Sequence, residues 1–369
     1  MTESGPSSHT PLIDGHNDIP ILIRALYNNH IYQENFTDPF ENGGFYGHVD
    51  LPRLRKGLNG GFFWSVFVPC PADGDDFSDE NYAESVQFTL QQIDLATRLR
   101  EAYPERFSGN IRASDALDAF KRGQLISPLG IEGLHQIGNS VANLRRFYDL
   151  GVRYATLTHN CHNKYADAAL VESPIRLAEP KWHGVSAQGQ SLVAEMNRLG
   201  MIVDLAHTSS AYSVCPHPRN VKDHVLQLVK GRNSSSWSTS TPFIACKGSD
   251  NENGLPDDVP EDSNIHQVVK HILHIGRLIG FDHVGLGSDF DGIDKAPEGL
   301  EDVSKYPALI AELLRQGVSD EDAAKVAGGN ILRVWGDVES VAARLQAAGA
   351  AILEDDLPSL WGGSITSHD

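Results

Sequence analysis

The sequence lacks long hydrophobic runs, an excess of positive charge and any pair of cysteines in C-x-x-C spacing. No apolar stretch reaches the ~18 residues of a membrane-spanning helix, and the N-terminal residues carry neither the basic nor the apolar region of a signal peptide. The C-terminal residues lack the apolar end that a lipid-anchor signal requires. These absences predict no membrane partner, and they leave the location as cytoplasmic or unknown.

Charge and missing motifs exclude further classes of protein. Thirty basic residues stand against forty-nine acidic ones, which gives a net charge of −19, so nucleic acids and anionic membranes are not expected partners. The four cysteines form no C-x-x-C pair, which excludes a zinc ribbon. The sequence also has no nucleophile elbow, P-loop, dinucleotide fingerprint or H-E-x-x-H motif, so these common routes to catalysis are absent.

What is present is an alternation of apolar runs of strand length with segments of helical periodicity. This alternation predicts an α/β fold with a parallel sheet and right-handed crossovers, and 369 residues suit a TIM-like (β/α)8 barrel. We predict a single domain over residues 1–369, with 1–10 disordered and 335–369 forming a C-terminal helical extension and tail. A long polar and aromatic segment, Asn28 to Val49, is predicted to be a loop.

Metal-binding side chains recur at the carboxyl ends of the apolar runs. Five of them end five different runs: His16, Glu132, His159, His207 and Asp289. Parallel barrels assemble their active sites at this edge, and imidazole and carboxylate groups are ligands for Zn²⁺ and similar ions. Asp18 lies two residues after His16 and adds a carboxylate on the same side. The pattern predicts a metal centre, in which Glu132 is able to bridge two ions and a hydroxide between them attacks the substrate.

Seven stretches make the sequence similar to a known family. They are DGHNDIP, GFFWSVFVPC, GIEGLHQIGNS, GVRYATLTHNC, NRLGMIVDLAH, SSAYSVCPHPRNV and DHVGLGSDFDG, and they span nearly the whole chain. On these residues the chain resembles the membrane (renal-type) dipeptidases, peptidase family M19, and in particular their fungal members. The resemblance implies a metal-dependent barrel that hydrolyses dipeptides of L-amino acids, with two Zn²⁺ ions per chain. Pairing of the chain into a homodimer is left open.

The resemblance implies how the metal ions would be held. His16 and Asp18 would hold the first zinc, Glu132 would bridge both ions, and His207 would hold the second. Asp289 would complete the first site and steer the attacking water.

The resemblance also implies roles for residues around the metal. His159 would contact the substrate or stabilise the tetrahedral oxyanion. Arg219 would bind the free carboxylate of the substrate, which suits a guanidinium fork. Cys70 and Cys161 match the positions of a disulfide in the family, whereas a reducing cytoplasm would favour two buried free thiols.

The chain departs from the family pattern at its second zinc. The family has one histidine in a D-L-A-H-x-S motif and another in an H-S-S-A motif about a helix and a strand later. Here DLAHTSSAYSV fuses the two and leaves only His207. His217 and His224 are candidate substitutes, although neither follows a strand. The intervening unit is expected to be absent, so the barrel should be missing or distorted around residues 205–250.

Losing one strand and helix from a closed barrel exposes strand edges. A mispredicted exon boundary or a splice form explains the fused motif more simply than an evolved seven-stranded barrel. Downstream, the serine-rich stretch Asn233 to Cys246 is expected to be a loop where a barrel strand should lie.

Two alternative functions follow from the fused motif. One is a catalytically impaired dipeptidase-like protein that binds ligands without turnover. The other is a mononuclear amidohydrolase that acts on a cyclic amide or a nucleobase. Metal stoichiometry measured alongside activity separates both from a binuclear dipeptidase.

Overall fold

The centre of the fold is a parallel sheet. The computed structural model describes residues 10–208, 217–232, 245–248 and 251–357, together with the backbone of 236–239. The strands of the sheet are β1 (Leu12–Asn17), β2 (Asn59–Ser65), β3 (Leu129–Glu132), β4 (Val152–Thr156), β5 (Ile202–Asp204), β6 (Ser236–Thr239) and β7 (Val284–Gly287). Their order in the sheet is β5-β4-β3-β2-β1-β7-β6, and every neighbouring pair is parallel.

This order is the chain order closed back on itself, because β7 returns to pair with β1. It is the arrangement of a TIM-like barrel, in which parallel strands follow one another around a ring. Among the residues described, no strand pairing joins β5 to β6, so the ring is open between residues 204 and 236. The predicted barrel, missing or distorted around residues 205–250, is confirmed.

Helices form the crossovers between the strands. They are α1 (Ile19–Tyr27), α2 (Glu34–Asn42), α3 (Leu51–Lys56), α4 (Asp79–Ala102), α5 (Ala113–Lys121), α6 (Val141–Asp149), α7 (Ala187–Leu199), α8 (Asp223–Gly231), α9 (Ile265–Ile279), α10 (Tyr306–Arg315), α11 (Asp320–Ala324) and α12 (Asn330–Ala347). Short 3-10 turns occupy Leu134–Ile137, Pro260–Asp262, Phe281–His283 and Val303–Lys305, and a π-helical turn at Lys325–Gly329 joins α11 to α12.

Two pairs of two-residue strands lie apart from the sheet, Leu170–Val171 with Arg176–Leu177 and Cys246–Lys247 with Asp257–Asp258. In the part of the chain that is described, every helix is too short or too polar to cross a membrane.

Side chains of the strands alternate between two apolar clusters, as the twofold period of a strand requires. In β2, Phe62 and Trp64 join the larger cluster, which also contains the buried faces of the helices. Phe63 joins a smaller apolar cluster with Ile13 of β1 and Ile202 of β5. Because strands far apart in the sheet meet in this smaller apolar cluster, it fills the concave side of the sheet.

Two expectations about local structure are wrong. The serine-rich stretch Asn233 to Cys246 contains β6, because Ser236–Thr239 pairs in register with Val284–Gly287 through backbone hydrogen bonds, which polar side chains do not prevent. The segment Asn28 to Val49 contains α2, because Phe36 and Phe40 are four residues apart and bury one face of a helix.

The single-domain organisation stays a prediction. The expected disordered segment 1–10 lies outside the described residues except for Thr10, and so does the end of the C-terminal tail from residue 358 onward. The described part of the C-terminal extension consists of the end of α12 and the residues that follow it, up to Leu357.

Candidate metal centre

Three carboxylates and one imidazole converge where β1, β3 and β7 end. His16 lies in β1 and Asp18 directly after it, Glu132 ends β3, and Asp289 follows β7 by two residues. The Nε2 atom of His16 is 3.0 Å from Asp18 Oδ2, 3.6 Å from Glu132 Oε2 and 3.4 Å from Asp289 Oδ1. None of the four side chains is more than 13% exposed. These four residues are called the first cluster below.

Backbone hydrogen bonds hold the ends of β1 and β7 together. The Asp289 amide donates to the His16 carbonyl at 3.1 Å, and the Asp18 amide donates to the Phe290 carbonyl at 2.8 Å. Asp289 also has a φ of 61°, a conformation that residues other than glycine rarely adopt and that clusters at functional sites. This pairing brings Asp18 and Asp289 to the same histidine.

A tyrosine that no sequence motif singles out orients His16. Tyr154 of β4 is fully buried, and its hydroxyl is 2.7 Å from Nδ1 of His16. When Nε2 binds a metal ion, the proton stays on Nδ1, which donates to the tyrosine oxygen. Gly130 of β3 makes room for the tyrosine, since a Cβ at this position would collide with its ring. The sequence signal for Tyr154 is its place in the strand V-R-Y-A-T, where the twofold alternation of side chains directs it toward the concave side of the sheet.

The first cluster fits a divalent cation. The ligand atoms of His16, Asp18 and Glu132 lie within 4.8 Å of one another. The second oxygen of Asp18, Oδ1, is buried and has no hydrogen-bond partner among the described residues. Gly292 leaves the site open, because a Cβ there would collide with the carboxylates of Asp18 and Asp289.

The electrostatics of the first cluster also favour a cation. Burial raises the pKa of Asp18, His16 opposes this effect, and the charges of Glu132 and Asp289 add to it. Burial disfavours the protonated form of His16, yet the charges of Asp18 and Glu132 outweigh this and raise its pKa well above the usual value. The carboxylates therefore create a strong demand for positive charge, which a metal ion satisfies.

Glu132 presents its other oxygen to a pair of histidines. Its Oε1 atom is 3.0 Å from Nε2 of His207, and the rings of His207 and His159 are 4.5 Å apart. The ligand atoms of Glu132, His159 and His207 lie within 4.8 Å of one another, and these three residues are called the second cluster. Nδ1 of His207 is 3.0 Å from Oδ1 of Asn160, so Nδ1 carries the proton and Nε2 is left as an acceptor.

Both histidines of the second cluster favour the neutral form. Burial lowers the pKa of His207 well below its usual value, and the guanidinium of Arg219 adds to this shift. Burial and the neighbouring His207 likewise lower the pKa of His159. Neutral imidazoles are the form that binds metals and that donates hydrogen bonds without a net charge.

Arg219 lies directly against the second cluster. Its Nη2 atom is 2.6 Å from Nε2 of His207 and 4.0 Å from Oδ2 of Asp289. A metal ion bound to His207 would need the Nε2 lone pair, to which the guanidinium already donates. In this arrangement Nε2 of His207 is not available to a second metal ion.

A disulfide lies beside the second cluster. It joins Cys70, which follows β2, to Cys161, which follows β4. The Cys70 sulfur is 3.7 Å from Nδ1 of His159, and the Cys161 sulfur is 4.0 Å from Nδ1 of the buried His135. This differs from the two free thiols expected in a reducing cytoplasm. The disulfide links the loops at the edge where the site lies.

The structure brings the sequence-predicted residues together at one edge of the sheet. His159 and His207 each follow the end of their strand by three residues, whereas the sequence predicted that they end β4 and β5. His217 and His224 belong to neither cluster: the His217 ring accepts from the Arg219 amide, and His224 is exposed on α8.

The family model of the membrane dipeptidases, peptidase family M19, matches residues 7–212 and 207–349. The chain belongs to this family. The M19 assignment confirms the resemblance that the seven motifs predicted. The two matches share residues 207–212, so the same stretch of this chain serves two places in the family model, as a fused histidine motif requires.

Relatives support the M19 assignment. A dipeptidase of Aspergillus oryzae (aclJ) is 46% identical over 95% of this chain and 83% of its own length, and a dipeptidase of Claviceps purpurea (tcpJ) is 43% identical over 96% and 83%. Among solved structures, the probable dipeptidase PvdM from Pseudomonas aeruginosa has a TM-score of 0.77 at 19% identity and covers 91% of this chain and 97% of its own. A metallo peptidase from Rhodobacter sphaeroides, liganded with a phosphinate mimic of L-Ala-D-Ala, has a TM-score of 0.72 at 24% identity over 89% and 99%. At these identities the two structures support the fold alone.

Proposed function

We propose that this chain is a zinc-dependent dipeptidase that hydrolyses dipeptides of L-amino acids to two amino acids. The observation that carries the proposal is the first cluster, in which three largely buried carboxylate groups lie within 3.6 Å of the Nε2 atom of His16. Membership of family M19 and relatives called dipeptidases support it. Imidazole and carboxylate ligands suit Zn²⁺.

The metal would be held by His16, Asp18, Glu132 and Asp289, and it would supply Lewis-acid chemistry at the scissile bond. Asp289 then orients the attacking water, accepts its proton and returns it to the leaving amine. His159, in its neutral form, donates a hydrogen bond to the oxygen of the scissile carbonyl as negative charge develops there. Glu132 fixes the spacing between the first cluster and His207, because its two oxygens face His16 and His207.

Arg219 binds the free carboxylate of the dipeptide in this proposal. Its side chain is 17% exposed and lies 4.0 Å from Asp289, so a carboxylate that it binds is close to the reacting groups. A guanidinium binds a carboxylate through two parallel hydrogen bonds. The distance from this contact to the metal would select peptides that end one residue after the scissile bond. The cytoplasmic or unknown location stays a prediction, and pairing into a homodimer stays open.

The proposal is tested with purified protein, a panel of dipeptides and the matching dipeptide amides. We expect Zn²⁺ to restore amino-acid release after chelation, and we expect dipeptide amides, which lack the free carboxylate, to react at least tenfold more slowly. The His16→Ala variant serves as the control that cannot hold the metal. Metal binding without release from any dipeptide would contradict the proposal and favour the non-catalytic alternative. Release from cyclic amides or nucleobases instead would favour the amidohydrolase.

A further inference from the structure

The second cluster contains an unusual contact between a cation and a candidate metal ligand. The Nε2 atom of His207 faces two groups, Glu132 Oε1 at 3.0 Å and Arg219 Nη2 at 2.6 Å. Since Nδ1 of His207 donates to Asn160, both Nε2 and the Glu132 oxygen are acceptors. Two facing acceptors need a positive group beside them, and here that group is a guanidinium.

We propose that the guanidinium of Arg219 takes the place of a second metal ion, so that the site holds one divalent ion, in the first cluster. This rests on the proposed function for the metal in the first cluster and departs from the two zinc ions that the family resemblance implies.

Three observations support the assignment. The hydrogen bond from Arg219 occupies the only ring nitrogen of His207 that remains available to a metal. The same guanidinium lies 4.0 Å from Asp289 Oδ2, so its charge is shared between the two clusters. Third, the residues 207–212 match two places in the family model, which leaves one histidine where two motifs occur.

This role is compatible with binding of the substrate carboxylate. A guanidinium has five N–H donors, and the contact with His207 uses one nitrogen. Arg219 therefore supplies a fixed charge to the site and keeps donors for a ligand. A metal ion would offer open coordination positions at this place, whereas a guanidinium offers hydrogen bonds in one plane.

The test is a titration of metal-free protein with Co²⁺, followed by visible absorption and by calorimetry, with metal content measured after gel filtration. We expect the wild-type protein to saturate at one equivalent. The Arg219→Leu and Arg219→Ala variants, whose side chains have no hydrogen-bond donor, free Nε2 of His207 and should take up a second equivalent at the second cluster. The Arg232→Ala variant is the matched control, because Arg232 is exposed at the end of α8, and it should stay at one equivalent.

Two results would overturn the inference: a wild-type protein that binds two equivalents, or Arg219 variants that fold and still bind one. If neither variant folds by circular dichroism, the wild-type endpoint decides, with one equivalent in support and two against. The titration does not measure hydrolysis. A protein that binds one ion but cleaves no dipeptide would contradict the proposed function and leave this inference standing.

Discussion

At the scale of single residues, the orientation of His16 depends on one buried hydrogen bond. Nδ1 of His16 meets the Tyr154 hydroxyl at 2.7 Å, and this contact fixes which ring nitrogen faces the carboxylates. Partners of this kind hold a metal-binding imidazole in the right tautomer and rotation, and losing them commonly weakens metal binding about 10- to 100-fold.

We therefore expect Tyr154→Phe to weaken metal binding by about 10- to 100-fold while the protein stays folded. Competition with a chelator of known affinity measures the change. The matched control is Tyr82→Phe, because Tyr82 is equally buried and its hydroxyl has no hydrogen-bond partner among the described residues. Equal affinities in the two variants would show that the hydroxyl of Tyr154 does not position His16.

The clustering of the proposed ligands could be predicted from sequence, whereas the residues that support them could not. His16, Glu132 and Asp289 each lie in or just after an apolar run, and carboxyl ends of parallel strands meet at one edge. Tyr154 and Asn160 act on residues that are 138 and 47 positions away. No local pattern specifies which buried side chain reaches which ring, because that pairing arises only when the sheet forms.

At the scale of elements, the loop after β7 shapes the metal site through its backbone. Asp289 and Asp291 both have positive φ, 61° and 68°. The Asp291 carboxylate accepts a hydrogen bond from the His48 amide at 2.6 Å. The segment that precedes α3 therefore also holds this loop in place. Gly292 then passes so close to the carboxylates of Asp18 and Asp289 that a Cβ has no space.

Gly292→Ala is accordingly expected to displace the carboxylates of Asp18 and Asp289 and to weaken metal binding at least tenfold, which corresponds to about 1.4 kcal/mol. Calorimetric titration of the metal-free variant measures this. Gly336→Ala is the control, since a Cβ at this position in α12 meets nothing within 4 Å, and alanine should stabilise the helix by up to about 1 kcal/mol. Unchanged metal affinity in Gly292→Ala would refute the steric argument.

The strands of the sheet differ in how well the sequence predicted them. β1 and β7 lie in the apolar runs that His16 and Asp289 end, so the sequence predicts where both strands lie. β6 lies in a serine-rich run, and its assignment depends on its parallel pairing with β7, which is a contact between distant segments. Amino-acid composition indicates whether the side chains of a strand are buried, whereas strand pairing uses backbone hydrogen bonds. A strand of polar residues is therefore not predicted from composition.

At the scale of the whole molecule, the parallel sheet is open between β5 and β6, at least over the residues described. The first cluster draws its side chains from β1, β3 and the segment after β7, so these segments must stay in register for the cluster to exist. β2 lies between β1 and β3 in the sheet. A metal ion in the first cluster would therefore link four neighbouring strands, β3, β2, β1 and β7, at their carboxyl ends.

This arrangement predicts that a divalent ion stabilises the entire fold. An ion that binds only the folded state adds about 4 kcal/mol to the free energy of unfolding at a free concentration one thousand times its Kd, and it also relieves the repulsion among Asp18, Glu132 and Asp289. We expect Zn²⁺ to raise the melting temperature of chelated protein by roughly 5 °C or more, measured by differential scanning calorimetry at fixed protein concentration. The His16→Ala variant should show little of this rise. An equal rise in that variant would place the stabilising ion outside the first cluster.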